Sequence, residues 1–153
     1  MIKITLPDGK VLDKAVGTTP MDVAKGISEG LARNVLAAKF NGQVIDSSSS
    51  LAVDGSLELL TWDSTEGKST FWHSSAHLMA EALEFHFPGI KFGIGPPVEN
   101  GFYYDVDPGD TAISSEDFKK IEEKMLELAR QANPFVRKEV SKSDAIDYFT
   151  VKG

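Results

Sequence analysis

The chain has 153 residues, 41% of them apolar and 25% charged, with a formal net charge of −7 and no cysteine. That composition is typical of a soluble globular protein of one medium or two small domains, and it excludes a disordered chain, disulfides and any Cys-based zinc site. No apolar run approaches the roughly 20 residues needed to span a bilayer, and the alternating N-terminus "MIKITLPDG" has no signal-peptide core. A cytosolic location with no membrane partner is therefore the plain reading. The negative balance argues against nonspecific nucleic-acid binding over the whole surface. Most of the negative charge lies after residue 62, so a polyanion-binding surface is better placed on the first part.

Residues 1–62 read as a compact β-rich module. "IKITL" alternates apolar and polar, "PDG" is a turn, and "KVLDKAV" resumes the extended pattern. "TTPMDVAKGISEGLA" predicts one helix capped by Thr19, with Pro20 at its first position and Gly30 near its end. "NVLAAKFNGQVI" predicts a strand pair hinged on Asn41-Gly42, and "SLELLTW" a last strand, giving the order ββαβββ. Residues 63–69, "DSTEGKS", read as a polar linker to a second unit, residues 63–153. That unit opens with a helix expected from about Ser69 to Phe87, stopped by Pro88-Gly89. "IKFGIGPPVENGFYYDVD" predicts a strand pair, "SSEDFKKIEEKMLELARQAN" an amphipathic helix capped at Ser114 or Ser115, "PFVRKEVS" a strand, and "SDAIDYF" a short helix.

Two phosphate-loop candidates fail on spacing. In "EGKST" the first glycine of the loop would fall at Trp62, and in "GIGPPV" the third glycine of a dinucleotide fingerprint would be Val98. All three histidines lie in "FWHSSAHLMAEALEFHFPG". At about 100° per residue, Trp72, Ala76, Met79, Leu83 and Phe87 form one stripe, taken as the core face, while His73 and His77 point away from it together. His86 lies at the edge of the core stripe. The pair is either a surface feature or a site. Near a helix N-terminus the dipole disfavours the imidazolium, and neutral imidazoles there could bind a metal or act as bases. A closed zinc site needs three or four ligands, and the candidate third, Glu84, is about two turns away. In "NGFYYD", Phe102 and Tyr104 share one strand face and Tyr103 the other. They are either core and surface aromatics or include a tyrosine lining a pocket.

Together "ITLPDGK", "PMDVAKGI", "HSSAHLMAEAL", "GIGPPVENGFYYDVD" and "EDFKKIEEKMLELA" resemble, in order and spacing, the N-terminal part of bacterial threonyl-tRNA synthetases. The resemblance implies an α+β chain. Residues 1–62 would be a TGS domain, a ubiquitin-like β-grasp module. Residues 63–153 would be the first part of a truncated α+β editing domain that hydrolyses serine mistakenly attached to threonine tRNA. It implies that His73 and His77 are the family's HxxxH, orienting the tRNA terminal ribose and water, and that Tyr104 contacts the aminoacyl end. The family completes this site with a downstream CxxxH motif and a lysine that this sequence lacks, so the site would be incomplete and the piece alone inactive. No metal or cofactor is expected in it. ATP, magnesium and zinc, the threonine tRNA and a homodimer contact are implied for the full enzyme. Two other readings are a TGS-type interaction module of a regulatory protein and a free-standing alanyl-type editing hydrolase, which uses zinc and lacks a TGS unit.

Overall fold

A computed structural model describes residues 1–136 and 138–152. Strands β1 (Ile2–Thr5) and β2 (Val11–Lys14) pair antiparallel around a turn in which Gly9 takes φ +83°. Helix α1 (Pro20–Ile27) starts at a reciprocal cap. The Asp22 N–H donates to Thr19 Oγ1 at 3.1 Å, and the Thr19 N–H donates to the Asp22 carboxylate at 3.0 Å. The single helix expected here is two. The chain turns extended at Ser28 (φ −166°), whose hydroxyl accepts the Leu31 N–H at 3.0 Å and caps α2 (Glu29–Asn34). A serine side chain offers the backbone an alternative to helix continuation, and here it wins. Gly30 therefore lies in the first turn of a second helix and not near the end of the first.

Strands β3 (Ala37–Phe40) and β4 (Gln43–Ile45) turn at Asn41-Gly42, both with positive φ (49° and 83°), as a tight hairpin requires. Strand β5 (Gly55–Leu60) then enters between β1 and β3. The sheet order is β2-β1-β5-β3-β4, with β1 and β5 parallel and all other neighbours antiparallel. This is the expected β-grasp arrangement, with ββααβββ in place of ββαβββ. Alternation in β1 sends Ile2 and Ile4 inward, where they meet Val23, Ala38, Leu51 and Leu57. Ile4 and Val23 are wholly buried, and burying each such side chain contributes about 1.5–3 kcal/mol.

The polar run after β5 is a helix start rather than a linker. Helix α3 spans Thr65–His86, four residues earlier than the sequence suggested. Ser64 is its cap: its hydroxyl accepts the Gly67 N–H at 3.0 Å and donates to the Thr61 carbonyl at 2.9 Å. The Lys39 ammonium on β3 donates to Glu66 at 2.5 Å, and Trp62 stands edge-on to Phe71 and Trp72 at 5.2 and 5.4 Å. These contacts tie the first helical turns to the sheet.

Beyond the Pro88-Gly89 stop come four short strands: β6 (Lys91–Phe92), β7 (Pro97–Val98), β8 (Gly101–Phe102) and β9 (Val106–Asp107). They form one interrupted hairpin, β6 on β9 and β7 on β8. Between the two ladders Asp105 faces two residues: its carbonyl accepts the Gly93 N–H at 2.8 Å, and its N–H donates to the Ile94 carbonyl at 2.9 Å. Two residues opposite one constitute a bulge. Helix α4 (Ser115–Gln131) starts at Ser114, whose N–H donates to Asp117 at 2.8 Å, and ends at Ala132 in the left-handed region. It packs on α3 through Ala82, Leu83, Phe87, Ile90, Ile121 and Leu128, with Phe92 and Val106 of the hairpin against the same cluster. The strand expected over "PFVRKEVS" is absent from residues 134–136 and 138–141, and Arg137 lies outside the described residues. A strand is satisfied only by a neighbour's backbone, and none of the described strands pairs with this segment. Helix α5 (Lys142–Lys152) follows, longer than the short helix expected. No helix among the described residues is long and apolar enough to cross a membrane.

Candidate active site on helix α3

The core stripe of α3 is the one the spacing gave: Ala76, Leu83 and Phe87 are buried, and Trp72 and Met79 half-buried. Ala82 joins them. His73 and His77 point away from the core, both exposed, with ring centroids 4.9 Å apart and planes tilted by 31°. Among the described residues neither ring makes a hydrogen bond within the chain, so the fold makes no polar use of them. The dipole argument for neutral imidazoles fails, however. The helix begins at Thr65, which puts His73 two turns inside it, and the dipole's effect is confined to the first turn. The pKa of His77 is nonetheless lowered from 6.5, first by partial loss of water and second by the neighbouring charge of His73. Both causes favour a neutral ring that accepts a proton.

His77 sits on a ridge between two open clefts. One, of about 430 Å³, runs between α3 and the end of α4, where Phe71, Ser74 and Glu81 face Leu128 and Phe135. The other, of about 630 Å³, is lined by Ala80, Glu81, Glu84, Lys91, Phe92 and Phe149 with His77. Each places an acceptor imidazole beside polar and apolar walls open to solvent, an arrangement suited to holding an ester and a water.

His86 is elsewhere. It is half-buried, and its Nε2 lies 3.1 Å from the Lys120 carbonyl on α4, so it ties two helices together and takes no part in the pair. Tyr104 is half-buried while Tyr103 is exposed, as strand alternation required. The Tyr104 ring stands edge-on to Phe92 at 5.4 Å. Phe102 reaches Trp72 at 6.0 Å, and Phe92 shares a cleft with His77 and Ala80. Tyr104 therefore lies on the face of the hairpin turned to α3, without itself lining either of those two clefts. Among the described residues no three His, Asp or Glu side chains converge as a metal site, so Glu84 does not complete one with the pair. The Gly67-Lys68-Ser69-Thr70 run is helical, not a phosphate loop. Sequence reasoning missed Glu81, Phe92 and Phe149 as neighbours of His77. For Glu81, four residues after His77, helical spacing was the available signal; the other two are brought there only by folding.

Residues 2–61 match the model of the TGS domain family. The chain is 63% identical over 152 residues, 99% of its length, to a threonine--tRNA ligase of Cytophaga hutchinsonii, of which it spans 24%. It is 53% identical over 97% of its length to the ligase of Flavobacterium psychrophilum and 54% identical over 100% to that of Parabacteroides distasonis, spanning 23% and 24% of those proteins. It thus spans about a quarter of the length of these curated relatives. Because the similarity runs through both units, it extends well past the TGS module. Residues 2–61 are a TGS domain, and the chain as a whole corresponds to the N-terminal region of threonine--tRNA ligases.

Proposed function

We propose that the chain serves an enzyme that attaches threonine to its tRNA using ATP, and that residues 63–153 form one wall of a site hydrolysing seryl-tRNA made in error. The observation that carries this reading is the His73–His77 pair: two adjacent exposed imidazoles, neither hydrogen-bonded among the described residues, with an open cleft on either side of His77. Serine lacks one methyl of threonine, and one methyl yields only about 1–3 kcal/mol of discrimination. A second site that cleaves the smaller ester restores fidelity.

Ester hydrolysis needs a water held against the carbonyl and a group to accept its proton. The neutral His77 ring supplies an acceptor. His73, alongside it, holds a ribose hydroxyl or the water by hydrogen bonding, and Tyr104 contacts the aminoacyl end. Among the described residues no three His, Asp or Glu side chains converge to hold zinc, and no step here is routed through a metal. ATP, magnesium and zinc, a homodimer contact and a cytoplasmic location belong in this reading to the whole enzyme, and the chain alone is inactive in aminoacylation.

The test is deacylation of preformed seryl-tRNA by the full-length ligase carrying this region. His73→Ala and His77→Ala should each abolish or strongly slow it while threonine attachment stays nearly intact. His86→Ala should leave deacylation unchanged and lower the melting temperature. Normal deacylation by both His73 and His77 variants, or its loss only in step with unfolding, would return the pair to a surface feature.

A further inference from the structure

The "GIGPP" stretch lacks the spacing of a phosphate loop, yet a side chain would be tight at Gly93 and would not fit at Gly95. A Cβ placed on Gly95 would lie 2.5, 2.6 and 2.9 Å from Cδ2, Cε2 and Cγ of the Tyr104 ring. Real Cβ atoms essentially never come so close to another heavy atom. The ring therefore lies directly against the Gly95 backbone, and it stands edge-on to Phe92 at 5.4 Å. Gly93 acts differently: its Cβ would meet Asp105 Cβ at 3.1 Å, across the bulge, and would not reach the ring. The bulge sets the offset between the two halves of the hairpin, and the bare backbone at Gly95 is what the offset brings under Tyr104.

We propose that Gly95 is a positioning residue: by lacking a side chain it seats the Tyr104 phenol on the α3 side of the hairpin, near the His73–His77 stretch. The proposal rests on the reading that Tyr104 contacts the aminoacyl end. Any side chain at Gly95 pushes the ring off its seat, and a displacement of about 1 Å at a substrate contact can slow a reaction on the order of 100-fold. Tyr103, on the opposite face and exposed, is unaffected.

The test uses Gly95→Ala, Tyr104→Phe and their combination in the full-length ligase, with Gly93→Ala as the hairpin control. Deacylation of preformed seryl-tRNA, threonine attachment and thermal melting are measured on each. Gly95→Ala should slow deacylation about 10- to 100-fold with threonine attachment retained. In the Tyr104→Phe background, where the hydroxyl is already gone but the ring still fills the seat, it should change deacylation less than about twofold, although its effect on melting persists. Fluorine NMR of the chain labelled with fluorotyrosine should show the Tyr104 resonance moving in Gly95→Ala, and Tyr103 staying in place. Gly93→Ala should lower the melting temperature without moving the Tyr104 resonance. If Tyr104→Phe deacylates normally, the substrate role of Tyr104 fails and the proposal with it. If Tyr104→Phe is slow but Gly95→Ala is not, or if the Tyr104 resonance stays fixed, the positioning role alone is overturned. Equal slowing by Gly95→Ala in both backgrounds would also overturn it, as the mark of a general hairpin defect.

Discussion

Replacing Gly67 with alanine sets two effects of opposite sign against each other, and the junction between sheet and α3 decides which prevails. Gly67 is the third residue of the helix, where alanine is favoured over glycine by about 1 kcal/mol. Gly67 is also buried, and a Cβ on it would overlap the Thr61 carbonyl oxygen and lie 2.7 Å from Ser64 Oγ. That hydroxyl is the helix cap, bonded to both Gly67 N–H and the Thr61 carbonyl. Relief of the clash requires moving backbone, at about 1–3 kcal/mol for overpacking, and loosening a cap of about 1 kcal/mol. The net effect is a loss of about 1–3 kcal/mol, or roughly 2–12 °C in melting temperature at this chain length. Gly30→Ala is the matched control. Gly30 is also helical, but its added Cβ would meet nothing nearer than Ser28 Oγ at 3.9 Å, so the propensity gain stands alone. Urea unfolding followed by far-UV circular dichroism should move the midpoint down for Gly67→Ala and up or not at all for Gly30→Ala, with unchanged slope. A Gly67→Ala protein as stable as its parent would refute the claim that this junction is close-packed.

Leu83→Ala, at a site 6% exposed in the α3–α4 core, should cost about 2–5 kcal/mol in the same assay. His73→Ala and His77→Ala should stay within about 0.5 kcal/mol of the parent, because both side chains are exposed and, among the described residues, neither is hydrogen-bonded. The pKa of Asp22 is lowered from 3.8 by the Thr19 hydroxyl and then its backbone N–H, that of Glu66 from 4.5 by Lys39, and that of Asp117 from 3.8 by Lys120 and then the Ser114 N–H. A folded pKa below the unfolded one gives stability that is complete above the unfolded value and lost as pH falls through the folded one. The midpoint should therefore drop as pH is taken below about 4.5, and Asp22→Asn with Asp117→Asn should flatten that slope; a parent whose stability is level there would contradict it. His77 follows the same sign near neutrality: its protonation is disfavoured in the fold, so stability should fall as pH drops below 6.5, and His77→Gln should remove that part of the slope.

What the sequence alone determined is what neighbours a few residues apart can settle. The alternation of Ile2 and Ile4, the Thr19–Asp22 cap, the Asn41-Gly42 turn, the Ser114–Asp117 start of α4 and the core stripe of α3 all follow from contacts within one turn or one strand. The pairing of His73 with His77 belongs here too, since helical spacing alone brings the rings to 4.9 Å. Where a partner lies far along the chain, the local signal misled. "DSTEGKS" is polar enough for a linker, yet it is helical, with Ser64 as its cap and Glu66 held by Lys39, 27 residues away. "PFVRKEVS" has strand composition, but a strand exists only beside another, and none of the described strands pairs with it. Moving the α3 start to Thr65 also took the histidines out of the first turn, so the lowered pKa of His77 comes from its surroundings and His73 rather than from the helix dipole. The seat of Tyr104 on Gly95 was the least legible feature. Its two halves lie on opposite arms of a hairpin, and their register depends on one bulge at Asp105 that no local pattern announces.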